Sequence, residues 1–307
     1  MLTKFNSNND SEIKVSVIVP TYNRSRLLSF TLDSLVRQEM EKNEFEVIVS
    51  DDGSSDDTKE VLKKYESLVD IKYVYQRDLG YRVASARNNA ILLSTGEICL
   101  FIDSGILLRE NCIREHINFH FESERHRAAI GYIYGYSRDR EVQLKLESLL
   151  ELSSLGETID RLCEMSIFFD KRNSHYEKYG DRIQDLPAPW HYFWGGHVSV
   201  RRENLMQIGM FDTSYDGRWG IEDNDLGFRL HASGVELALL RSAQVIHYPH
   251  GDKSGDDKKQ GYLNCIDFNQ KYDTTETRLF LEHFKSNKLE DINDIALKSR
   301  IAAGNEV

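Results

Sequence analysis

Two short apolar runs, separated by a segment of helical periodicity, restrict the fold of this chain more than any other feature of its sequence. Val15 to Val19 is an unbroken β-rich run closed by Pro20, and Phe45 to Ser50 is a second run closed by Asp51-Asp52-Gly53. Between them, apolar residues recur at helical spacing from Leu27 to Val36. Uninterrupted apolar strands are typical of parallel sheets covered on both faces. The order strand, helix, strand therefore predicts an α/β fold.

The same alternation continues as far as Asp103. It predicts, in order, a helix over Asp56 to Tyr65 capped by Ser54 or Ser55, a strand over Ile71 to Tyr75, a helix over Val83 to Leu93 and a strand over Ile98 to Ile102. Ligands of open α/β sheets bind beyond the carboxyl ends of the strands. We therefore expect a site at residues 20–24, 51–54 and 103.

The second half of the chain is less regular. Residues 141–186 predict helices and loops without a strand. The elements that follow are a strand over His197 to Val200, a helix over Glu203 to Ile208, a helix over Leu226 to Ala232 that ends at Gly234, strands over Val235 to Leu240 and Val245 to His247, and a polar, then helical tail beyond Asp252.

Composition excludes several classes of protein. The formal net charge is -11 and no block of basic residues stands out, which disfavours a nucleic-acid partner. The four cysteines show no paired or zinc-like spacing. No apolar stretch is long enough to span a bilayer or to form a signal-peptide core. We expect a cytoplasmic protein without a transmembrane segment, and the sequence leaves open a peripheral attachment to a membrane and the formation of a homodimer.

Carboxylates follow two of the predicted strands. Asp51 and Asp52 can accept hydrogen bonds from a nucleobase or from ribose hydroxyls, although an ordinary acidic turn has the same composition. Asp103 can coordinate a divalent cation that bridges two phosphates, or it can cap the following turn.

A second acidic cluster begins a predicted helix at Glu222-Asp223-Asn224-Asp225. Such carboxylates can hold a sugar and remove a proton from a hydroxyl, but acids also favour helix N-termini without any chemistry. His247 and His250 can supply one metal ligand or form a solvated pair. Trp190, Trp194 and Trp219 lie close to this cluster or to Gly195-Gly196, and aromatic faces suit both sugar rings and a protein core.

The order of these motifs is similar to that of known enzymes. Three segments resemble family 2 glycosyltransferases of the GT-A fold: Val17 to Arg24, Val47 to Ser54 and Ala86 to Ala90. Gly209 to Asp212 and Trp219 to Leu226, with Trp194-Gly195-Gly196, resemble the C-terminal acceptor half of chondroitin-polymerase-type and β-1,4-galactosyltransferase-type enzymes. The resemblance implies a Rossmann-like, mixed and mostly parallel sheet flanked by helices, with a helical C-terminal tail.

The resemblance also implies roles for single residues on the donor side. Uridine would be held by Pro20, Thr21, Tyr22, Arg24, Asp51 and Asp52, with Arg87 and Asn88 near the donor. Asp103 would bind the nucleotide sugar and take the first position of a metal-binding Asp-x-Asp. Gly105 stands where the second aspartate is expected, so His247 would complete the site for Mn²⁺ or Mg²⁺.

On the acceptor side, Asp223 matches the general base and Glu222 an acceptor-binding carboxylate of catalytic importance. Trp194, Gly195, Gly196 and Trp219 would line the acceptor site. The resemblance thus implies an inverting transferase that moves a sugar from a UDP-sugar to a hydroxyl of a glycan or small acceptor, with a role in polysaccharide biosynthesis. A non-catalytic nucleotide-sugar-binding protein and a sugar nucleotidyltransferase are the alternatives.

The predicted domain boundaries follow from these motifs. Residues 1–12 form a polar N-terminal segment, residues 13–252 the catalytic domain and residues 253–307 a helical tail. Within the catalytic domain we predict a nucleotide-sugar-binding half over residues 13–110, a helical insertion over residues 111–188 and an acceptor and catalytic half over residues 189–252.

Overall fold

One mixed sheet organises the chain. The computed structural model describes residues 3–4, 13–41, 43–181, 183–250, 257–286 and 291–302. In chain order the strands are β1 (Thr3–Lys4), β2 (Val15–Thr21), β3 (Phe45–Asp51), β4 (Ile71–Tyr75), β5 (Ile98–Ile102), β6 (Ile106–Leu108), β7 (Arg127–Tyr134), β8 (His197–Arg201) and β9 (Glu236–His247). Their order across the sheet is β1-β4-β3-β2-β5-β8-β7-β9-β6.

Helices cover the sheet and form the C-terminal region. They are α1 (Ser25–Val36), α2 (Thr58–Lys63), α3 (Val83–Leu93), α4 (Cys112–Phe121), α5 (Arg140–Leu149), α6 (Leu155–Leu162), α7 (Asn173–Tyr179), α8 (Arg202–Gln207), α9 (Glu222–Ala232), α10 (Asp257–Tyr272), α11 (Thr275–Ser286) and α12 (Ile292–Ala302). No helix among these described residues is long and apolar enough to cross a membrane.

The first half of the chain folds as the alternation predicts. Strands β4, β3, β2 and β5 pair in parallel, and every residue of β2 and β3 is buried. Successive side chains of β2 enter the two different apolar layers of the core, Ile18 on one face and Val17 on the other. The parallel register places Thr21 beside Asp51, so the loops after both strands open at the same edge of the sheet. The α/β class and the mixed sheet with flanking helices are confirmed.

The middle of the chain contributes more to the sheet than its sequence suggests. The segment predicted as a helical insertion over residues 111–188 does contain helices α4 to α7, but it also contains β7. Strand β7 pairs with both β8 and β9 inside the sheet. Its residues from Ala128 to Tyr134 are buried, so the run is a central strand that the prediction missed. The two strands expected between Val235 and His247 are one strand, β9, whose pairing with β7 shifts register after Gly131.

Two helix starts differ from the prediction. Helix α2 begins at Thr58 rather than Asp56 because the Asp56 carboxylate accepts hydrogen bonds from the backbone of Thr58 and of Ser25. Helix α9 begins at Glu222 rather than Leu226, so the whole acidic cluster belongs to its first turn. Gly234, at φ +89°, follows its C-terminus as predicted. The predicted boundary at residues 252 and 253 and most of residues 1–12 lie outside the described residues, and the domain division stays a prediction.

Candidate active site

A cavity of about 820 Å³ opens beyond the carboxyl ends of the central strands. Its lining residues belong to α3, to the loops after β5 and before β8, to the first turn of α9 and to the end of β9. The helices α10 and α11 close one side. The predicted site residues that it brings together are Arg87, Asp103, Trp194, Gly195, Gly196, Trp219, Glu222, Asp223 and His247. Three of these residues come from the donor and metal predictions and six from the acceptor and catalytic predictions, so residues predicted for both halves of the site line one cavity.

Arg87 connects the carboxylates of the two halves. Its Nη2 lies 3.0 Å from Asp103 Oδ1, and its Nη1 lies 2.9 Å from Glu222 Oε1. The guanidinium is buried and also lies over the ring of Phe211, with 5.2 Å between Cζ and the ring centroid. Two ionic partners and an aromatic ring fix its position. Arg87 therefore holds a predicted metal ligand and a predicted acceptor ligand in one arrangement.

The loop before β8 fits against these charges only because it contains two glycines. A Cβ on Gly195 would lie 3.0 Å from Arg87 Nη2, and a Cβ on Gly196 would lie 3.3 Å from Asp103 Oδ2. The backbone N–H of Gly195 donates to Asp223 Oδ2 at 2.8 Å. The glycines predicted as acceptor residues thus allow the backbone to approach the carboxylates of the site closely.

Burial makes the two carboxylates of α9 unusually basic. It raises the pKa of Glu222 to about 7, with a further contribution from the charge of Asp223, while Arg87 acts in the opposite direction. Burial also raises the pKa of Asp223, and the N–H groups of Gly195 and Asn224 oppose that rise. Two neighbouring acids with different hydrogen-bond partners can hold different protonation states near neutral pH.

The start of α9 is fixed by unusual backbone conformations and by the C-terminal helices. Gly220 and Ile221 have φ values of +88° and +79°, which turn the chain sharply before Glu222. Gln260 Oε1 accepts from the N–H of Trp219 at 3.0 Å, and Asn264 Nδ2 donates to the carbonyl of Gly220 at 2.8 Å. Helix α10 therefore holds the loop that precedes Glu222 and Asp223.

The predicted uridine residues lie beside the cavity rather than on its wall. They lie at one edge of the sheet, where Pro20 and Thr21 end β2, Asp51 ends β3, and Tyr22, Arg24 and Asp52 belong to the loops that follow. The hydroxyl of Ser104 donates to the carbonyl of Pro20 at 2.9 Å, so these loops adjoin the residue after Asp103. Their nucleotide role stays a prediction.

Several of these side chains already have protein partners. Asp51 accepts from Tyr73 at 2.7 Å and from the backbone of Gly53 and Ser54. Asp52 accepts from Gln76 and from the backbone N–H of Arg82, both at 2.6 Å. Asp51 Oδ1 accepts both of its backbone N–H groups, but Asp51 Oδ2 and the two oxygens of Asp52 each accept one of these bonds and can accept another from a ligand. These protein contacts give the loop a fixed shape.

Asn88 has a different environment from its neighbour Arg87. Its Nδ2 donates to the carbonyl of Phe211 at 2.8 Å, and its Oδ1 accepts from the N–H of the same residue at 2.9 Å. This pair of bonds joins α3 to the segment before α9. Asn88 does not line the cavity, and the structure gives its side chain a role in joining two parts of the fold.

Asp103 and His247 fit the predicted divalent metal. The Asp103 side chain is 45% exposed, and one oxygen remains directed toward Gly196. His247 lines the same cavity, and burial lowers its pKa to about 3, with Asp103 and Arg24 among the charges that act on it. A neutral imidazole and a carboxylate are suitable ligands for Mn²⁺. Gly105 has φ +103°, a conformation that disfavours an aspartate at the position of the missing second acid.

Some lining residues carry no local sequence signal. Tyr81 reaches the cavity from the loop before α3. Arg172 is buried against Asp170, with 2.6 Å between Nη2 and Oδ2, and its Cζ lies 4.7 Å from the ring centroid of Trp194, which it positions. Lysines of α10 and α11 complete the wall. All of them come from segments distant in sequence, where no motif marks them.

A group of potential metal ligands lies elsewhere, in the core. Cys112, His116 and His197 are fully buried and could together hold a metal ion, the only such group of three among the described residues. His116 Nε2 lies 2.9 Å from His197 Nε2, and its Nδ1 lies 2.8 Å from the Ser199 hydroxyl. These hydrogen bonds account for the arrangement, which braces β8 against α4.

Comparison with known proteins identifies the family. The chain matches the model of glycosyl transferase family 2 over residues 16–206, more than half of its length. The chain belongs to glycosyl transferase family 2. A model described as the N-terminal domain of galactosyltransferase matches this family 2 transferase over residues 183–251. Both predicted halves of the resemblance are thus confirmed.

Relatives of this family 2 transferase include enzymes longer than the chain. It is 36% identical to the validoxylamine A glucosyltransferase of Streptomyces hygroscopicus subsp. jinggangensis over 266 residues, 87% of this chain and 63% of the relative. It is 31% identical to the chondroitin synthase of Pasteurella multocida over 261 residues, 82% of this chain and 26% of the relative. The chain therefore spans less than two thirds of the length of these relatives.

Solved structures confirm the GT-A fold. Residues 1–349 of Staphylococcus aureus TarS, in complex with UDP-GlcNAc, match with a TM-score of 0.58 and 18% identity, over 89% of this chain and 71% of the solved TarS chain. The mannosyltransferase PcManGT from Pyrobaculum calidifontis, in complex with GDP-Man and Mn²⁺, matches with a TM-score of 0.57 and 18% identity, over 97% of this chain and 77% of PcManGT. At this level of identity the likeness concerns the fold alone.

Proposed function

We propose that the chain transfers a sugar from a UDP-sugar to a hydroxyl group of a glycan or small acceptor, with inversion at the anomeric carbon. The observation that carries the proposal is the link through Arg87, which joins Asp103 on the donor side to Glu222 beside Asp223 within one cavity. The curated relatives include a glucosyltransferase and polysaccharide synthases, and the TarS structure contains UDP-GlcNAc. These names support the class of reaction, and uridine remains part of the proposal.

The reaction forms one bond and breaks another. The acceptor oxygen attacks the anomeric carbon as its proton passes to the Asp223 carboxylate. The bond from the anomeric carbon to the β-phosphate oxygen breaks, and UDP leaves with the electron pair. Attack by one oxygen on the side opposite the leaving group inverts the carbon. A positioned carboxylate of this kind typically contributes about 10² to 10⁴ in rate.

The other residues position the substrates. Glu222, held by Arg87, is placed to bind an acceptor hydroxyl, and Trp194 and Trp219 offer rings against which sugars can pack. Asp103 and His247 would hold a divalent ion, which supplies positive charge against the diphosphate when bound. Arg24 lies close enough to His247 to lower its pKa, so it adds a cation on the same side. We keep a cytoplasmic location and a homodimer as predictions.

A binding experiment tests the donor and metal proposal together. Because Asp103 has a glycine in place of its usual partner acid, we expect Mn²⁺ to bind weakly alone and more tightly with UDP, whose phosphate oxygens complete the coordination. Asp103→Asn should weaken calorimetric binding of UDP with Mn²⁺ by at least about tenfold, because one ligand charge is lost. The loss should disappear when UDP is titrated in excess chelator.

The matched control removes an acid outside the site. This control is Asp160→Asn, because the Asp160 side chain is 62% exposed and pairs with Arg109 at the surface. The variant should bind UDP and Mn²⁺ with the affinity of the parent. Equal binding by parent and Asp103→Asn, or full turnover of a UDP-sugar in excess chelator, would contradict the metal site. A parent that binds UDP-sugars but never cleaves them would be a non-catalytic binding protein.

A further inference from the structure

One end of the cavity combines basic and aromatic side chains. Lys258 and Lys259 of α10 and Lys285 of α11 are exposed and line it. Trp219, Tyr262 and Phe284 line the same end. These lysines have no counterpart among the predicted site residues.

This end lies next to Asp223, on the acceptor side. Gln260, which follows Lys259, accepts the N–H of Trp219 at 3.0 Å. A Cβ on Gly261 would lie 3.2 Å from the Trp219 ring and 2.8 Å from Phe284, so glycine lets α10 approach both rings closely. Trp219 precedes Glu222 and Asp223 by a few residues. The three lysines and Trp219 thus line the same cavity as Glu222 and Asp223.

The local charge is opposite to that of the whole protein. The chain has 50 acidic and 39 basic residues, a net charge of -11. The acids that line the cavity are the catalytic and metal residues Asp103, Glu222 and Asp223, and Asp170, which is paired with Arg172. Among the described residues that line the cavity, seven are basic (Arg87, Arg138, Lys171, Arg172, Lys258, Lys259 and Lys285) and four are acidic.

We propose that the acceptor is an anionic saccharide, in which a carboxylate or phosphate contacts Lys258, Lys259 and Lys285 while a sugar face packs on Trp219. The inference rests on the proposed function, because it assigns the acceptor of the same site. The lysines attract the acidic group, and the aromatic rings contact the apolar face of a sugar. The attraction lies at a solvent-exposed rim, so salt weakens it.

Three saccharides of similar length distinguish the sources of charge. A chondroitin hexasaccharide without sulfate carries carboxylates, a hexamer of ribitol phosphate carries phosphates, and maltohexaose is neutral. Calorimetry with the parent, in the presence of UDP and Mn²⁺, should detect one of the two anionic probes and give at least about tenfold weaker binding for maltohexaose. Raising the salt concentration should weaken the anionic probe only.

Charge-matched variants test the lysines themselves. One variant replaces the three lysines of the cavity, Lys258→Gln/Lys259→Gln/Lys285→Gln. Its affinity for the anionic probe should be about tenfold lower, since three exposed ionic contacts are lost, and its affinity for UDP should be unchanged. The control variant, Lys63→Gln/Lys64→Gln/Lys145→Gln, removes the same charge from exposed positions that do not line the cavity. It should bind the anionic probe and UDP with the affinities of the parent.

The outcomes separate this inference from the proposed function. The inference would be overturned if the parent bound maltohexaose as tightly as both anionic probes. It would also be overturned if the lysine variant bound the anionic probe with the affinity of the parent. A loss of UDP affinity in the lysine variant would assign the lysines to the donor and overturn it as well. In each case a parent that still binds UDP and hydrolyses a UDP-sugar would leave the proposed function intact. Absence of UDP binding by the parent would refute the proposed function itself.

Discussion

At the scale of single residues, hydrogen bonding favours Asp223 over Glu222 as the general base that we propose. Both oxygens of Asp223 accept backbone N–H groups, at 2.8 Å from Gly195 and 2.8 Å from Asn224, and such bonds favour the ionised form. One oxygen of Glu222 binds Arg87, and its buried Oε2 has no hydrogen-bond partner among the residues that the structure describes. These contacts favour the charged form of Asp223 more than that of Glu222, in line with the proposed role of Asp223 as the base.

Asp223→Asn tests this assignment. The amide keeps the shape of the side chain but cannot accept the acceptor's proton, so turnover at saturating acceptor should fall at least about a hundredfold. The affinity for UDP should change little, because the proposed role of Asp223 concerns the acceptor and not the donor. Initial rates of UDP release, together with calorimetry of UDP binding, measure the two quantities.

Glu222→Gln is the matched comparison, since it makes the same chemical change one position away. It should act mainly on the KM for the acceptor, because Glu222 is placed to bind rather than to remove a proton. Near-parental turnover in Asp223→Asn would show that the base is wrongly assigned. Asp225 would not replace it, because four protein groups already bind that carboxylate.

The sequence indicates most of these residues but not their contacts. Arg87, Asp103 and Glu222 each stand in a motif, so their presence in one site could be predicted from motif order. The hydrogen bonds of Arg87 could not be predicted in the same way. Its partner Glu222 is 135 positions away, and no local sequence pattern indicates a contact at that distance. The lysines of α10 and α11 lacked any signal, because exposed lysines on a helix are common and only the folded chain shows which of them line the cavity.

At the scale of elements, the helix that carries Asp223 is anchored through Asp225. This fully buried carboxylate accepts from Arg229 Nε at 2.6 Å, from Lys271 Nζ at 2.8 Å and from the hydroxyls of Tyr272 and Tyr215 at 2.7 and 3.2 Å. Lys271 and Tyr272 belong to α10. One acid thus joins the catalytic helix to the C-terminal region.

Asp225→Asn should loosen that connection. The amide has one acceptor oxygen in place of two and no charge, so Lys271 and Arg229 lose their buried partner. We expect the free energy of unfolding to fall by about 3 kcal/mol, the loss typical of a broken buried ion pair. Urea unfolding followed by circular dichroism measures it.

The control for this variant is an ion pair between the same two regions at the surface. Asp267 of α10 pairs with Arg218 in the loop before α9, and 48% of its side chain is exposed. Asp267→Asn should cost less than about 1 kcal/mol. If both substitutions cost the same, the buried carboxylate does not anchor α9.

Elements of the first half could be predicted to within a few residues because each strand is a continuous apolar run between turn signals. Strand β7 has the same character from Ala128 to Tyr134, but the charged, leucine-rich residues that follow it suggested a helical segment. In β9, polar residues at Arg241 and Ser242 gave the appearance of a break between two strands. Strand β9 pairs with β7 on both sides of residues 241–243, which have no partner in β7, and no local pattern encodes this pairing.

At the scale of the whole molecule, buried histidines make stability depend on pH. Burial lowers the pKa of His116 and of His120 to about 3 and that of His191 to about 4, and it lowers that of His197 strongly. In the unfolded chain each titrates near pH 6.5. Between those values the unfolded state binds protons that the folded state does not, so the stability present above pH 6.5 is lost as pH falls.

We therefore expect the free energy of unfolding to decrease between pH 6 and pH 4.5, by about 1.4 kcal/mol per pH unit for each histidine. Glu222 acts in the opposite direction, because its pKa of about 7 in the folded state lies above its unfolded value. His120→Gln removes one titrating group and should reduce the slope by about 1.4 kcal/mol per pH unit, measured by urea unfolding at several pH values. His126→Gln, at a side chain 55% exposed, should keep the parental slope. A parental slope in His120→Gln would mean that its imidazole is protonated in the folded protein, contrary to its burial between α4 and β8.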